Sequence, residues 1–220
     1  MSTAGAKNMK IAIIGYGGMG SFHAENLKHY AETSPEYPLE LAGIYDIDPA
    51  RAAVAEKNGI RAYAGAREIW EDKSVGAVLI ATPNDFHAGY VKEAAEAGKN
   101  IICEKPIALT EKQAEEMYGY AEKAGVLFEV HQNRRWDDDY LTVKNIYDHP
   151  ENIGGVYRIE SRVMGGNGIP GGWRKKAAQG GGMMLDWGVH LIDQMLQMVK
   201  STVVSLYCEY SYIYGEEVED

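Results

Sequence analysis

The stretch Lys10-Ile11-Ala12-Ile13-Ile14-Gly15-Tyr16-Gly17-Gly18-Met19-Gly20 reads as a short apolar strand running straight into a G-x-G-x-x-G turn. Each glycine has a physical reason in such a turn: a tight bend at Gly15, close approach of backbone to a pyrophosphate at Gly17, and close packing of helix on strand at Gly20. Residues 21–30 continue with helical composition. The helix N-terminus would then offer N–H groups and a positive dipole end to phosphates, and Tyr16, Gly18 and Met19 within the run count with the glycines as cofactor-binding residues. A glycine turn of purely structural origin is the competing reading; the strand, turn, helix order favours the dinucleotide.

Working outward, the chain keeps alternating short apolar strands with helical segments, the signature of a parallel sheet covered by helices. After a polar insertion at 32–38, residues 39–45 read as the second strand and 49–58 as a helix capped by Asp48 with Pro49 at its first position. Residues 60–63 are expected to form a short third strand. The continuous apolar run 77–81, bounded by Thr82-Pro83-Asn84, suits a strand buried on both faces. A helix over 87–97 ending at Gly98, a strand through Ile101 and Ile102, a helix from Thr110 to Lys123 and a strand over 126–130 complete the α/β pattern. This predicts an N-terminal Rossmann domain over residues 1–133.

Beyond Asn133 the pattern changes. A helix is expected over 138–148, an alternating half-solvated strand over 156–163, a glycine-rich loop over 165–182, a helix over 183–199 and a strand over 203–214. These predict a partial α/β (α+β) domain with an open mixed sheet over residues 134–220, one that looks unfinished where the chain stops.

The composition excludes several classes. With 45% hydrophobic and 25% charged residues the chain is an ordinary globular protein. A formal net charge of -10 argues against a nucleic-acid partner, whose backbone is bound through lysine and arginine. No apolar run reaches the length of a membrane span, and residues 1–8 carry no secretory pattern. Cys103 and Cys208 belong to no Cys-x-x-Cys pair; no metal site is expected, Cys103 reads as a small buried strand residue, and a reducing cytoplasm is the simplest compartment.

Three places carry candidate chemistry besides the glycine turn. Asp46 ends the second strand, where a carboxylate can accept from the ribose hydroxyls and repel a 2′-phosphate, favouring NAD; nearby Arg51 keeps NADP open. Glu104-Lys105-Pro106 lies where a strand leaves the sheet, and Asp186-Trp187-Gly188-Val189-His190 sets a carboxylate and an imidazole four residues apart, neighbours on one helix face. A capping aspartate and a plain histidine is the alternative for that pair. Arg134 and Arg135 could meet a cofactor or an anion, or be solvated, and Asp193 reads as structural.

Together these segments make the chain similar to the Gfo/Idh/MocA oxidoreductases, the glucose-fructose oxidoreductase and inositol dehydrogenase relatives. The matching positions are Gly15 to Gly20, Asp46, Thr82-Pro83-Asn84 with His87, Ala97-Gly98-Lys99 leading to Glu104-Lys105-Pro106, Asn133-Arg134-Arg135, and Gly180-Gly181-Gly182 leading to Asp186 and His190. The resemblance implies a substrate held between a Rossmann domain and an open-sheet domain, with Lys105, Asp186 and His190 catalytic. It implies Thr82, Pro83, Asn84, His87, Glu104 and Lys105 as cofactor contacts. The expected reaction is hydride transfer between NAD and a secondary alcohol of a sugar, cyclitol or polyol, in a dimer or tetramer. Redox-assisted glycoside cleavage, a non-catalytic nucleotide-binding regulator and an inactive fragment are the alternatives.

Overall fold

In a computed structural model, the described residues are 9–220 except 35, 37, 152, 214 and 216. The chain divides into two compact units, Met1–His131 and Gln132–Asp220.

The first unit is one parallel sheet in the order β2-β1-β3-β4-β5. The strands are β1 (Met9–Ile14), β2 (Leu39–Tyr45), β3 (Val75–Ile80), β4 (Asn100–Glu104) and β5 (Phe128–His131). Helices α1 (Gly18–Thr33), α2 (Pro49–Lys57), α3 (Ala66–Glu71), α4 (His87–Glu96) and α5 (Glu111–Ala124) connect them. Strand periodicity builds both cores: Ile11 and Ile13 pack with Leu27 of α1 and Ala55 of α2 on one face, while Ala12 and Ile14 pack with Val91 of α4 and Met117 of α5 on the other. Each fully buried isoleucine contributes roughly 1.5–3 kcal/mol, so an apolar β1 follows from burial on both faces. Because β1 is flanked by β2 and β3, the chain reverses direction across the sheet beside it, and the crevice at its C-terminal end is the switch point where such folds bind ligands.

The third strand expected over 60–63 does not form; only the bridge Ile44↔Ala62 is made. Its cause lies in β2, where the register slips around Gly43 and a Cβ at that residue (φ +153°) would sit 2.7 Å from the Arg61 carbonyl oxygen. The bulge admits the bonds from Ile44 N to Arg61 O and from Tyr63 N to Ile44 O, and the pairing stops at that one bridge. Helix α3 was not anticipated, since six residues are too few to show a helical period.

Lys99 is a structural pin. Buried at the turn before β4, its Nζ donates to the carbonyls of Asp72 and Val75 at 2.7 and 2.8 Å, and burial lowers its pKa. Cys103 is fully buried, and burial, with the Glu104 charge second, raises its thiol pKa. Cys208 is exposed. A thiol reagent should therefore label Cys208 in the native protein and Cys103 only after unfolding, as mass spectrometry of the labelled peptides would show; rapid native labelling of Cys103 would contradict the packing of β4.

The second unit holds a 3-10 turn (Asn133–Trp136), α6 (Asp138–Tyr147), two further 3-10 turns (Gly172–Lys175 and Ala177–Gln179), a π turn (Met184–Gly188) and α7 (Val189–Met198). The mixed sheet expected here is not formed: among the described residues the segments expected as strands over 156–163 and 203–214 make no ladder. Tyr157 is 98% and Val204 94% exposed. Alternation gives a segment its strand propensity, but a strand exists only when a neighbour takes its backbone bonds. Residue 214 lies outside the described residues. No helix among the described residues is long and apolar enough to cross a membrane.

Candidate dinucleotide site and catalytic groups

The glycine turn is fixed by contact as well as conformation. Gly15 has φ +92°, and a Cβ there would lie 2.6 Å from the Ala81 carbonyl oxygen, just past β3. A Cβ on Gly20 would lie 1.9 Å from the Gly15 carbonyl oxygen, so α1 can approach the end of β1 only without it. Gly18 meets nothing within 4 Å. At Gly17 the nearest group is Arg51 Nη1, 3.2 Å from an added Cβ. The N-cap of α1 is Gly17, with no side-chain cap and no acidic residue in the first turn. Its first N–H groups and dipole end are thereby left for an anion.

Asp46 follows β2 and is anchored. Its Oδ2 accepts from Tyr16 N at 2.6 Å, its Oδ1 from Asp48 N at 2.8 Å, and Arg51 Nη1 stands 3.5 Å from Oδ2. An ionised carboxylate has about four acceptor positions, so these contacts orient it and leave capacity for hydroxyl donors. The groove beside it is lined by Gly15, Tyr45, Asp46, Thr82, Pro83 and Phe86 among others. Thr82 Oγ1 is buried without a hydrogen-bond partner, an orphaned polar atom in the lining of this groove. The glycine cradle, the uncapped helix and this orphan fit a dinucleotide.

His87, at the start of α4, is fully buried and clamps two loops. Its Nε2 lies 3.0 Å from Thr82 O and its Nδ1 lies 3.0 and 3.3 Å from Pro106 O and Ile107 O. Burial lowers its pKa against the pull of those carbonyls. A neutral ring has one N–H, so one of the two edges donates at a time. His87 therefore holds the Thr82-Pro83-Asn84 loop against the loop after β4, where the Lys105–Pro106 bond is cis; Asn84 is buried in the first of these loops.

Glu104 ends β4 and is buried. Its Oε1 accepts from His23 Nε2 of α1 at 2.6 Å and from His131 Nδ1 of β5 at 2.9 Å, and its Oε2 from Lys105 N at 3.3 Å. Burial by itself would raise its pKa, but the His131 and His23 hydrogen bonds win and bring it to about 2, below an ordinary 4.5. A depressed carboxyl stabilises the fold in full above its unfolded pKa and loses that contribution as pH falls through the folded value. On the order of 3 kcal/mol should be lost between roughly pH 4.5 and 2. Denaturant melts against pH should show this acid loss in the parent chain and a shallower one in Glu104→Gln; parallel curves would refute it.

In the second unit Asp186 lies on the π turn and His190 on α7, both buried. The expected continuous α-helix over 183–199 is corrected: residues 184–188 are wound more widely, a local feature frequent at functional sites. Arg174 Nε pairs with Asp186 Oδ2 at 2.6 Å. His190 Nδ1 lies 3.2 Å from Gln132 Oε1; donating there, the ring carries its lone pair on Nε2. Trp187 stands edge-on to His190, with the Arg134 guanidinium 4.1 Å over its ring. Arg135 forks onto Asp193 at 2.8 and 2.6 Å, so Asp193 anchors the Asn133–Trp136 turn on α7.

Sequence reasoning missed Gln132, His23 and His131, and met Arg174 only as a member of the glycine-rich loop over 165–182, without its partner Asp186. Gln132 stood out only as the neighbour of Asn133-Arg134-Arg135. The histidines carried no local pattern.

A parallel sheet covered on both faces, with this turn at its switch point, is the frame of a dinucleotide-binding Rossmann protein. The chain belongs to the GFO/IDH/MocA oxidoreductase family: the model for the oxidoreductase family, NAD-binding Rossmann fold, matches residues 9–132, and that for the GFO/IDH/MocA C-terminal domain matches residues 140–220. It is similar to a solved NAD-binding protein from Listeria innocua, with a TM-score of 0.91 and 43% identity over 97% of this chain and 61% of that one. The myo-inositol 2-dehydrogenase of Thermotoga maritima is 30% identical over 96% of this chain and 60% of its own length. The scyllo-inositol 2-dehydrogenase (NADP(+)) IolW of Bacillus subtilis is 28% identical over 86% of this chain and 51% of its own length. The chain spans about half the length of the curated relatives it matches.

Proposed function

We propose that this chain carries the cofactor site and acid-base groups of an NAD-dependent dehydrogenase acting on a secondary alcohol of a sugar, cyclitol or related polyol. The observation that carries the reading is the steric demand for glycine at Gly15 and Gly20 beside an uncapped helix and an anchored Asp46. Gly15 to Gly20 would hold the pyrophosphate, Asp46 the adenosine ribose, and Thr82 to Asn84 the neighbouring part of the cofactor. NAD, when bound, supplies the hydride acceptor.

The remaining chemistry belongs to side chains. Oxidising a carbinol requires the hydroxyl to lose its proton as hydride leaves carbon, so a base must face that hydroxyl. His190 is assigned that role: a bond from Nδ1 to Gln132 puts the basic lone pair on Nε2. Asp186, paired with Arg174, sets the charge around the imidazole from the preceding turn. Lys105 would donate to the substrate oxygen and stabilise developing alkoxide. The relatives named for inositol support the substrate class.

Calorimetric titration with NAD and NADP, followed by a polyol screen for growth of reduced-nicotinamide absorbance, tests the reading. Tighter binding of NAD than NADP is expected from Asp46, with Arg51→Ala widening the gap. Equal failure of both cofactors to bind would overturn it.

A further inference from the structure

The Glu104-Lys105-Pro106 turn is held through its first residue by two histidines from distant parts of the chain. Glu104 and His131 are register partners on neighbouring strands, and His23 reaches the same carboxylate oxygen from α1. The two rings meet edge to face with centroids 4.7 Å apart. Three potential metal ligands here lie within 4.8 Å of one another, but the two nitrogens stand 2.6 and 2.9 Å from one oxygen. Ligands on a zinc ion at about 2.0–2.2 Å stand roughly 3.3 Å apart in tetrahedral geometry. Protons therefore suit these gaps, and the carboxylate is already satisfied as a hydrogen-bond hub.

A lysine carries its amine on a flexible four-carbon stem, so its precision depends on where its backbone is fixed. The Lys105 N–H donates to Glu104 Oε2 while Glu104 Oε1 is locked from two sides. A misplacement of about 1 Å can reduce rate by roughly 100-fold.

We infer that His23 and His131 are positioning residues for Lys105, acting through Glu104 to set the amine at the substrate oxygen. This rests on the catalytic reading of Lys105. The histidines touch neither substrate nor cofactor in this role; they supply two N–H donors, Nε2–H from His23 and Nδ1–H from His131, that keep a buried carboxylate ionised and immobile.

The experiment pairs a truncation with a donor-conserving variant at each position, using the NAD-loaded protein. An asparagine amide can place its N–H where His131 has Nδ1–H, and a glutamine amide where His23 has Nε2–H. His131→Ala and His23→Ala should lower kcat about 10- to 100-fold with KM and NAD affinity within about 3-fold, and His131→Asn and His23→Gln should recover most of the loss. A second readout needs no substrate: after 13C reductive methylation, the Lys105 resonance, assigned by its loss in Lys105→Arg, should shift in the alanine variants and return in the conservative ones. Other lysine resonances should stay in place.

A Lys105 resonance unmoved by either alanine variant overturns the inference whether or not a substrate has been found. Full turnover in Lys105→Met would instead sink the catalytic reading of Lys105, and the positioning role with it. Loss of turnover in Lys105→Met with normal turnover in both histidine truncations sinks the positioning role alone. One equivalent of zinc retained by the parent and absent from His131→Ala would also overturn it, making the cluster a cation site.

Discussion

Gly20→Ala should lose NAD binding by about 100-fold or more and destabilise the chain by about 1–3 kcal/mol. The added Cβ would stand 1.9 Å from the Gly15 carbonyl oxygen, and that obstacle is backbone. Relief requires α1 to move off the end of β1. That movement also withdraws the helix N–H groups from the phosphates and opens the packing of Leu27 and Ala24 against Ile11 and Ile13. Gly18→Ala is the matched control, since a Cβ there meets nothing within 4 Å. Titration calorimetry and urea melts on the two variants decide the matter: if Gly20→Ala binds NAD as well as Gly18→Ala does, the packing account of the turn is wrong.

Replacing His190 is expected to have the largest effect on chemistry with little effect on binding. His190→Ala should lower turnover about 100- to 10,000-fold while leaving NAD affinity within about 2-fold. The sharper variant is His190→Asn. Its amide can keep the N–H directed at Gln132 Oε1 but has no counterpart of Nε2, so it separates the base from the hydrogen bond that orients it. Both variants should be equally slow, with His190→Asn melting closer to the parent. Turnover in His190→Asn at the parent level would remove histidine from the acid-base role.

Much of the first unit was legible because its strands are apolar runs with plain boundaries. β1 ends at a glycine turn, β3 at Thr82-Pro83, and α5 is capped by Thr110 and closed by Gly125 in a left-handed conformation. These signals are local and survive without knowing what the strand touches. Where the outcome depended on a neighbour, local pattern failed. Residues 60–63 look like a strand but meet a bulged edge, and 156–163 alternate correctly yet pair with nothing described.

The candidate groups divide in the same way. Gly15 to Gly20, Asp46, Lys105, Asp186 and His190 could be named from residue type, spacing and resemblance. Their partners could not. Helical spacing suggests Asp186 near His190, but nothing in that spacing points to the π turn or to Arg174, twelve residues earlier, which pairs with Asp186. Position suggested His87 as a cofactor contact but not that both its ring nitrogens face backbone carbonyls, of Pro106 and Thr82, in two loops.

The sequence alone determined a dinucleotide-binding α/β frame and the residues that could do its chemistry, because glycine turns, caps and apolar periodicity follow from covalent geometry and burial. It took the packed chain to bring His23 and His131, 81 and 27 residues from Glu104, onto one oxygen of its carboxylate. The physical reason is that a hydrogen bond across that separation depends on how α1, β4 and β5 pack, and no spacing within any one of them encodes it.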